Sequence, residues 1–366
     1  MNTIFFLSTI LNFNIMADNY NRSINYFITD INQVKIIEIK NFEKIDFPNG
    51  ILKTFNPEDP SEFLFEISTN FYFNEVIFSV SAEIEKEDIL SLSVVIDNEE
   101  FFFGNFSPSK SKSFSRKNSI GEMNIDTLKL YQKTNNLKAR IKIYNNSKKQ
   151  SIIKLINMVL TDIEKPYSTQ AKSKETKKIK INIPKISQMN QQVSYNQDIC
   201  SPTSLTMVLN YYGIKISTIE VASNVIDQSE NIYGNWLFNT IYASTKGLYA
   251  FVARINSFKE LEEYLKNRIP VIASLTFGPN ELKNSPIKKT KGHLVVVKGI
   301  NENGDIITND PAASTNNKVE IVYKRKEFEN AWLKNKFGTS YIITDDILKL
   351  SFIATQFTEK KTKKRS

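Results

Sequence analysis

Residues 200–213 read CSPTSLTMVLNYYG, and this stretch decides how the second half of the chain is organised. Ser201-Pro202 is a helix-start signature: a capping hydroxyl, then a proline whose missing N–H matters little in the first turn. Leu205, Val208, Leu209 and Tyr212 recur at helical spacing, and Gly213 supplies the stop. The predicted helix has the single cysteine of the chain, Cys200, at its entrance. Free N–H groups and the positive end of the helix dipole would face that sulfur and favour a thiolate. A lone cysteine is more often a small buried apolar residue, so the surroundings must decide.

Downstream the pattern continues as helices followed by strands. Ser217 to Glu220 and Ser257 to Glu260 read as capping boxes, and Asn235 caps a helix from Trp236 that stops at Gly247. Strand-like runs follow at 249–255, 270–277, 293–300, 305–310, 319–324 and 339–344. Helices first and a mostly antiparallel sheet after is an α+β arrangement. Upstream, residues 20–163 are strand-like throughout, with β-branched or aromatic runs at 34–40, 62–68, 73–84, 90–97, 101–106, 137–144 and 151–160. That spacing predicts an all-β sandwich or jelly roll, and SPSKSKSFSRKNS (107–119) reads as a long polar loop.

At 366 residues the chain is long enough for two domains, and 41% hydrophobic with 24% charged residues excludes global disorder. The net charge of +9 invites a nucleic-acid reading, but its placement argues otherwise. Residues 165–185 carry a net +6 and 358–366 a net +4, which leaves the remainder one charge negative. Both basic stretches are too polar to fold alone, so they read as solvated linker and tail, with no specific nucleic acid implied. The expected division is a β-sandwich at 20–163, a Lys-rich linker at 164–185, an α+β domain at 186–350 and a basic tail at 351–366. No apolar run is long enough for a transmembrane helix. The stretch 1–17 has an apolar centre but lacks an early basic residue and a small residue at 15, so a degenerate signal peptide and a cytoplasmic location both stay open.

One Cys and one His exclude an internal disulfide, a multi-thiolate zinc site and a two-histidine metal site. No metal or cofactor is expected. His293 opens the strand HLVVVKGI, and Asn301-Glu302-Asn303-Gly304 should turn it into a hairpin with DIITND. A four-residue loop pairs Ile300 with Asp305 and sets His293 opposite Ala312, whereas a two-residue Asn-Gly turn would set it opposite Ser314, too far from Asp310. With the four-residue loop Asp310 lies on the same face, diagonal to His293 and roughly 7 Å away between backbones. A carboxylate there can orient the imidazole and stabilise its protonated form.

Four segments now stand in order: ISQM with CSPTSLTMVLNYYG (186–213), YGNWLFNTIYAS (233–244), KGHLVVVKG (291–299) and GDIITNDPAA (304–313). Over about 183–344 the chain resembles the bacteriocin-processing-peptidase-like (peptidase C-thirty-nine-like) family of cysteine peptidases. The resemblance implies a papain-like fold with Cys200 as nucleophile, His293 as general base and acid, and Asp310 as orienter. It also implies an upstream glutamine as oxyanion donor: Gln188 matches best, Gln192 is the second choice, and Gln191 and Gln197 lie nearby. Trp236 and the loop 278–292 are candidate substrate walls. The expected activity is hydrolysis of a peptide or protein substrate through a thioester. Two rivals use the same residues: an acyl transferase in which an amine replaces water, and an inactive protein whose β-sandwich binds a polymer or surface.

Overall fold

The computed structural model describes residues 21–46, 48–168 and 178–350. The stretches 1–17 and 351–366 and the middle of the Lys-rich segment lie outside the described residues. Two antiparallel sheets with few helices make up the rest.

The first sheet is built from β1 (Ser23–Ile28), β2 (Lys35–Lys40), β3 (Phe42–Lys44), β4 (Leu52–Thr54), β5 (Ser61–Glu83), β6 (Ile89–Ile96), β7 (Glu99–Phe106), β8 (Arg116–Lys117), β9 (Gly121–Asn124), β10 (Thr127–Tyr144) and β11 (Ile152–Thr161). Its main path runs β3-β4-β11-β5-β10-β6-β7. The runs 62–68 and 73–84, expected as separate strands, are one strand. The polar break at Thr69 is a local irregularity in which its hydroxyl accepts from Phe71 N and donates to Phe71 O. β10 shifts register opposite this point, so the two long strands change partners together. Before it, Ser61–Ile67 alternates buried and half-buried residues against β10. After it, residues 76–82 are buried almost continuously, and β5 pairs β11. A strand buried on both faces needs a second layer, and the second sheet provides it.

That sheet comprises β12 (Ile179–Lys180), β13 (Tyr249–Arg254), β14 (Val271–Phe277), β15 (Thr290–Ile300), β16 (Ile306–Asn309), β17 (Glu320–Tyr323) and β18 (Thr339–Thr344), ordered β13-β18-β14-β15-β16-β17 with β12 on β15. The helices are α1 (Cys200–Tyr211), α2 (Thr218–Val225), α3 (Trp236–Ser244), α4 (Phe258–Lys266) and α5 (Arg325–Glu329), the last running on as a π-helical turn over Asn330–Lys334. Ser217, Asn235 and Ser257 cap as expected, each accepting from the backbone N–H three residues on. Part of the segment read as linker, Ile179–Lys180, instead belongs to this sheet as β12. Ile179 and Lys180 pair with Ile300 and Gly299, and Ile181 and Ile183 are buried. The lysines there alternate with isoleucines, a strand pattern that the charge count obscured.

β13 is the end strand of its sheet, yet its outer edge is not bare. Ser81 Oγ both accepts from Ala250 N (2.7 Å) and donates to Ala250 O (2.6 Å). Ser79 Oγ accepts from Val252 N (3.1 Å), and Asn157 Nδ2 donates to Val252 O (2.7 Å). The Asn25 amide closes both Arg254 N and Arg254 O at 3.0 Å. Side chains of the first sheet thus replace the missing ladder and tie the two sheets into one interface.

Candidate functional site: a Cys–His–Asp cluster

Cys200 is the first residue of α1, with Ile199 at the cap position; Ser201 is not the cap as expected. Its hydroxyl lies 2.9 Å from the Tyr341 hydroxyl on β18 instead. The helix is central, with Ser201 to Leu209 all buried, so its hydroxyls need internal partners. Thr203 and Thr206 bond back to Ile199 O and Pro202 O. Ser204 Oγ donates to Leu294 O at 3.0 Å, which fastens the turn after Cys200 to the residue after His293. The N–H groups of Cys200 and Ser201 fall in the first turn, where no intrahelical acceptor precedes them, and the Cys200 thiol is half-buried.

His293 enters on β15, opposite Leu275 of β14, and is 3% exposed. The hairpin register differs near its turn: Ile300 pairs Ile306, not Asp305. An extra residue in β15, Lys298, restores the expected pairing from Val297–Thr308 onward. Asp310 follows β16 directly and is fully buried. Its Oδ1 is 2.8 Å from His293 Nε2 and accepts from Ala312 N at 2.9 Å. Its Oδ2 accepts from the Tyr323 hydroxyl at 2.6 Å. Nε2 being committed to Asp310, Nδ1 is the ring nitrogen left for the Cys200 sulfur, which also hydrogen-bonds the imidazole.

Burial alone would lower the His293 pKa, but the Asp310 charge and hydrogen bond, together with Cys200, raise it above the usual value. Burial alone would raise Asp310, but the imidazolium, the Tyr323 hydroxyl and the Ala312 N–H hold it below the ordinary carboxylate value. A raised histidine stabilises the fold fully below pH 6.5 and loses that contribution as pH climbs through its folded value. A lowered carboxylate stabilises above pH 3.8 and loses its contribution as pH falls. Thermal unfolding scanned by pH should therefore show a plateau between these flanks. Asp310→Asn should remove most of the alkaline decline that belongs to His293.

Gln188 is 2% exposed, in a short 3-10 turn docked on the loop after Asp310 through Gln188 N to Pro311 O (2.9 Å). Its side-chain Nε2 donates to both Asn196 O and Gln197 O at 2.9 Å, while Oε1 is buried without a partner. Both amide hydrogens therefore hold the turn before Cys200, and neither is free for an oxyanion. Gln192 and Gln197 are exposed, and Gln191 Nε2 bonds Ser187 O. Trp236 lies at the junction of the sheets: Asp126 accepts from its backbone N (2.8 Å), and Lys336 sits over its ring. Burial raises the Asp126 pKa to about 6. The loop 107–119 also belongs to this junction, because Ser113 N donates to the Asp227 carboxylate that holds Asn235. Two features were missed in the sequence. Tyr323 read as an ordinary strand aromatic, and Tyr195, five residues before Cys200, stacks on Tyr233 with ring centroids 5.1 Å apart.

Among solved structures, the chain is 20% identical to a double glycine motif protease from an AMS/PCAT transporter, determined in complex with the leader peptide. That match has a TM-score of 0.32 and covers 46% of this chain and 99% of that one. It is also 20% identical to a C39-like peptidase from Bacillus anthracis, with a TM-score of 0.36, covering 47% of this chain and 99% of that one. No curated protein matches. The family model that matches is the Peptidase_C39 like family, over residues 180–340, a span that holds Cys200, His293 and Asp310.

Proposed function

We propose that the protein is a cysteine peptidase that cleaves a peptide bond through a thioester on Cys200. The observation that carries this reading is the buried pair His293–Asp310 at 2.8 Å with the half-buried Cys200 against the same ring. Cys200 Sγ attacks the scissile carbonyl carbon, and His293 Nδ1 holds the thiol proton as imidazolium. Nδ1 returns that proton to the leaving amine as the C–N bond breaks and the acyl–sulfur bond remains. Water then attacks the thioester, giving a proton to His293, and the thiol leaves with it. Asp310 stays ionised and holds the ring for both steps.

The first oxyanion donor in this reading is the backbone N–H of Cys200 at the helix start. Gln188 becomes the second only when its amide releases the Asn196 or Gln197 carbonyl. We further read residues 20–163 as a β-sandwich that flanks the peptidase unit and is fused to it through β13. Support for that fusion is the set of side-chain bonds along the β13 edge.

The test is a peptide-library digest followed by mass spectrometry, with iodoacetamide labelling in parallel. Cleavage should stop when the thiol is blocked, and labelling of Cys200 should be faster in the native chain than in His293→Ala. Absence of any cleaved peptide, with equal labelling rates, would sink the proposal.

A further inference from the structure

The Cys–His–Asp cluster has a fourth member that the peptidase reading does not use. Tyr323 is 0% exposed, and its hydroxyl donates to Asp310 Oδ2 at 2.6 Å. The opposite carboxylate oxygen carries His293 Nε2 at 2.8 Å. A buried phenol is costly without a partner, and other carbonyl acceptors would satisfy one equally well. Here it is spent on the one carboxylate that faces the only histidine of the chain.

Two further contacts give the arrangement direction. The Tyr323 ring stacks on Phe328 of α5, with centroids 6.1 Å apart, which sets the angle of the phenol. Ser285, in the loop 278–292 that leads into His293, hydrogen-bonds the same hydroxyl. That loop is anchored on α5 as well, through Lys283 N to Glu327 Oε2 at 2.9 Å.

We infer that Tyr323 is a positioning residue, whose hydroxyl fixes the Asp310 carboxylate against His293 and links the loop 278–292 to the charge state of the imidazole. The inference deepens the peptidase reading and rests on it for its consequence in turnover. The charge coupling itself is measurable without any substrate. Without its 2.6 Å donor the Asp310 carboxylate is free to turn away from His293 Nε2, and the imidazolium loses its close charged partner. Removing the hydroxyl should therefore lower the His293 pKa.

With a single histidine, its ring carbon-bound proton resonances can be assigned without mapping in the full chain. The expected result is that Tyr323→Phe moves the His293 titration midpoint down by roughly one pH unit, as loss of one charge-assisted bond implies. Turnover should fall about tenfold with KM nearly unchanged. In the Asp310→Asn background the same substitution should shift the midpoint hardly at all, since the carboxylate it acts through is gone. Ser285→Ala, at a half-exposed loop position, should give a smaller shift of the same sign, and it serves if Tyr323→Phe fails to fold. An unchanged midpoint in folded Tyr323→Phe, with only a lower thermal midpoint, would make Tyr323 a packing residue. So would unchanged midpoints in Ser285→Ala if that is the variant available. A shifted midpoint in a chain that cleaves no peptide would keep this inference and reject the peptidase reading.

Discussion

Cys200→Ala is expected to leave the fold intact and to lower peptide hydrolysis by about 10⁴-fold or more, with His293→Ala close behind. The sulfur is the only nucleophile of its kind in the chain, and no second histidine exists to take over the proton. Cys200 is half-buried, so removing one sulfur opens little volume; a change in thermal midpoint should be small. The double variant should be no worse than Cys200→Ala alone, because the two groups act on one proton and one bond. Asp310→Ala should cost less than either, since Cys200 and His293 remain. Hydrolysis of a peptide chosen from the library digest, followed by circular dichroism on each variant, checks all of these. Activity within tenfold of the native chain in Cys200→Ala would exclude the thioester route.

The second large effect is on stability, at the edge of β13. Asn25 is 2% exposed, and its amide satisfies both Arg254 N and Arg254 O. Asn25→Leu keeps the size of the side chain but leaves two buried backbone groups without partners. The expected loss is about 2–6 kcal/mol, at about 1–3 kcal/mol per group. Both tryptophans, Trp236 and Trp332, lie in the second half of the chain, whereas Asn25 lies in the first. Trp332 is fully buried, with its Nε1 donating to Thr339 O (3.2 Å) and Ser340 Oγ (3.1 Å), so its emission reports on the second sheet. If the two sheets unfold as one, Asn25→Leu should lower the urea midpoint read by tryptophan emission and leave the slope unchanged. A midpoint that stays put, while far-ultraviolet dichroism moves, would mean two independent units.

Much of the site was legible in the sequence because it rests on local rules and on rarity. A single Cys before a helix start, a single His at a strand start and an Asp across a short turn leave few ways to arrange Cys–His chemistry. The hairpin was readable because alternation and the four-residue turn Asn301-Glu302-Asn303-Gly304 set its register within one residue. The extra residue at Lys298 then corrected that difference before the pairing reached Asp310. Helices α2, α3 and α4 were readable from their capping residues. By contrast α5 and its π-helical turn were missed, since RKEFENAWLK shows only a few apolar residues at helical spacing among many charges.

What the sequence by itself determined is the order of most strands and helices, the residues proposed to react and the turn that joins two of them. These depend on neighbours within a few residues, whose preferences are written locally. Only the tertiary structure decided the rest. Tyr323 meets Asp310 across a loop, Ser204 fastens Leu294 from 90 positions away, and Asn25 closes Arg254 from 229 positions away. Gln188 spends its amide on two carbonyls because the turn before Cys200 folds over it. Serines and asparagines on β1, β5 and β11 look like interruptions of apolar strands until β13 lies beside them. Buried polar groups take whichever partner the packing brings, and that choice follows from the whole chain's burial, which no short window of residues contains.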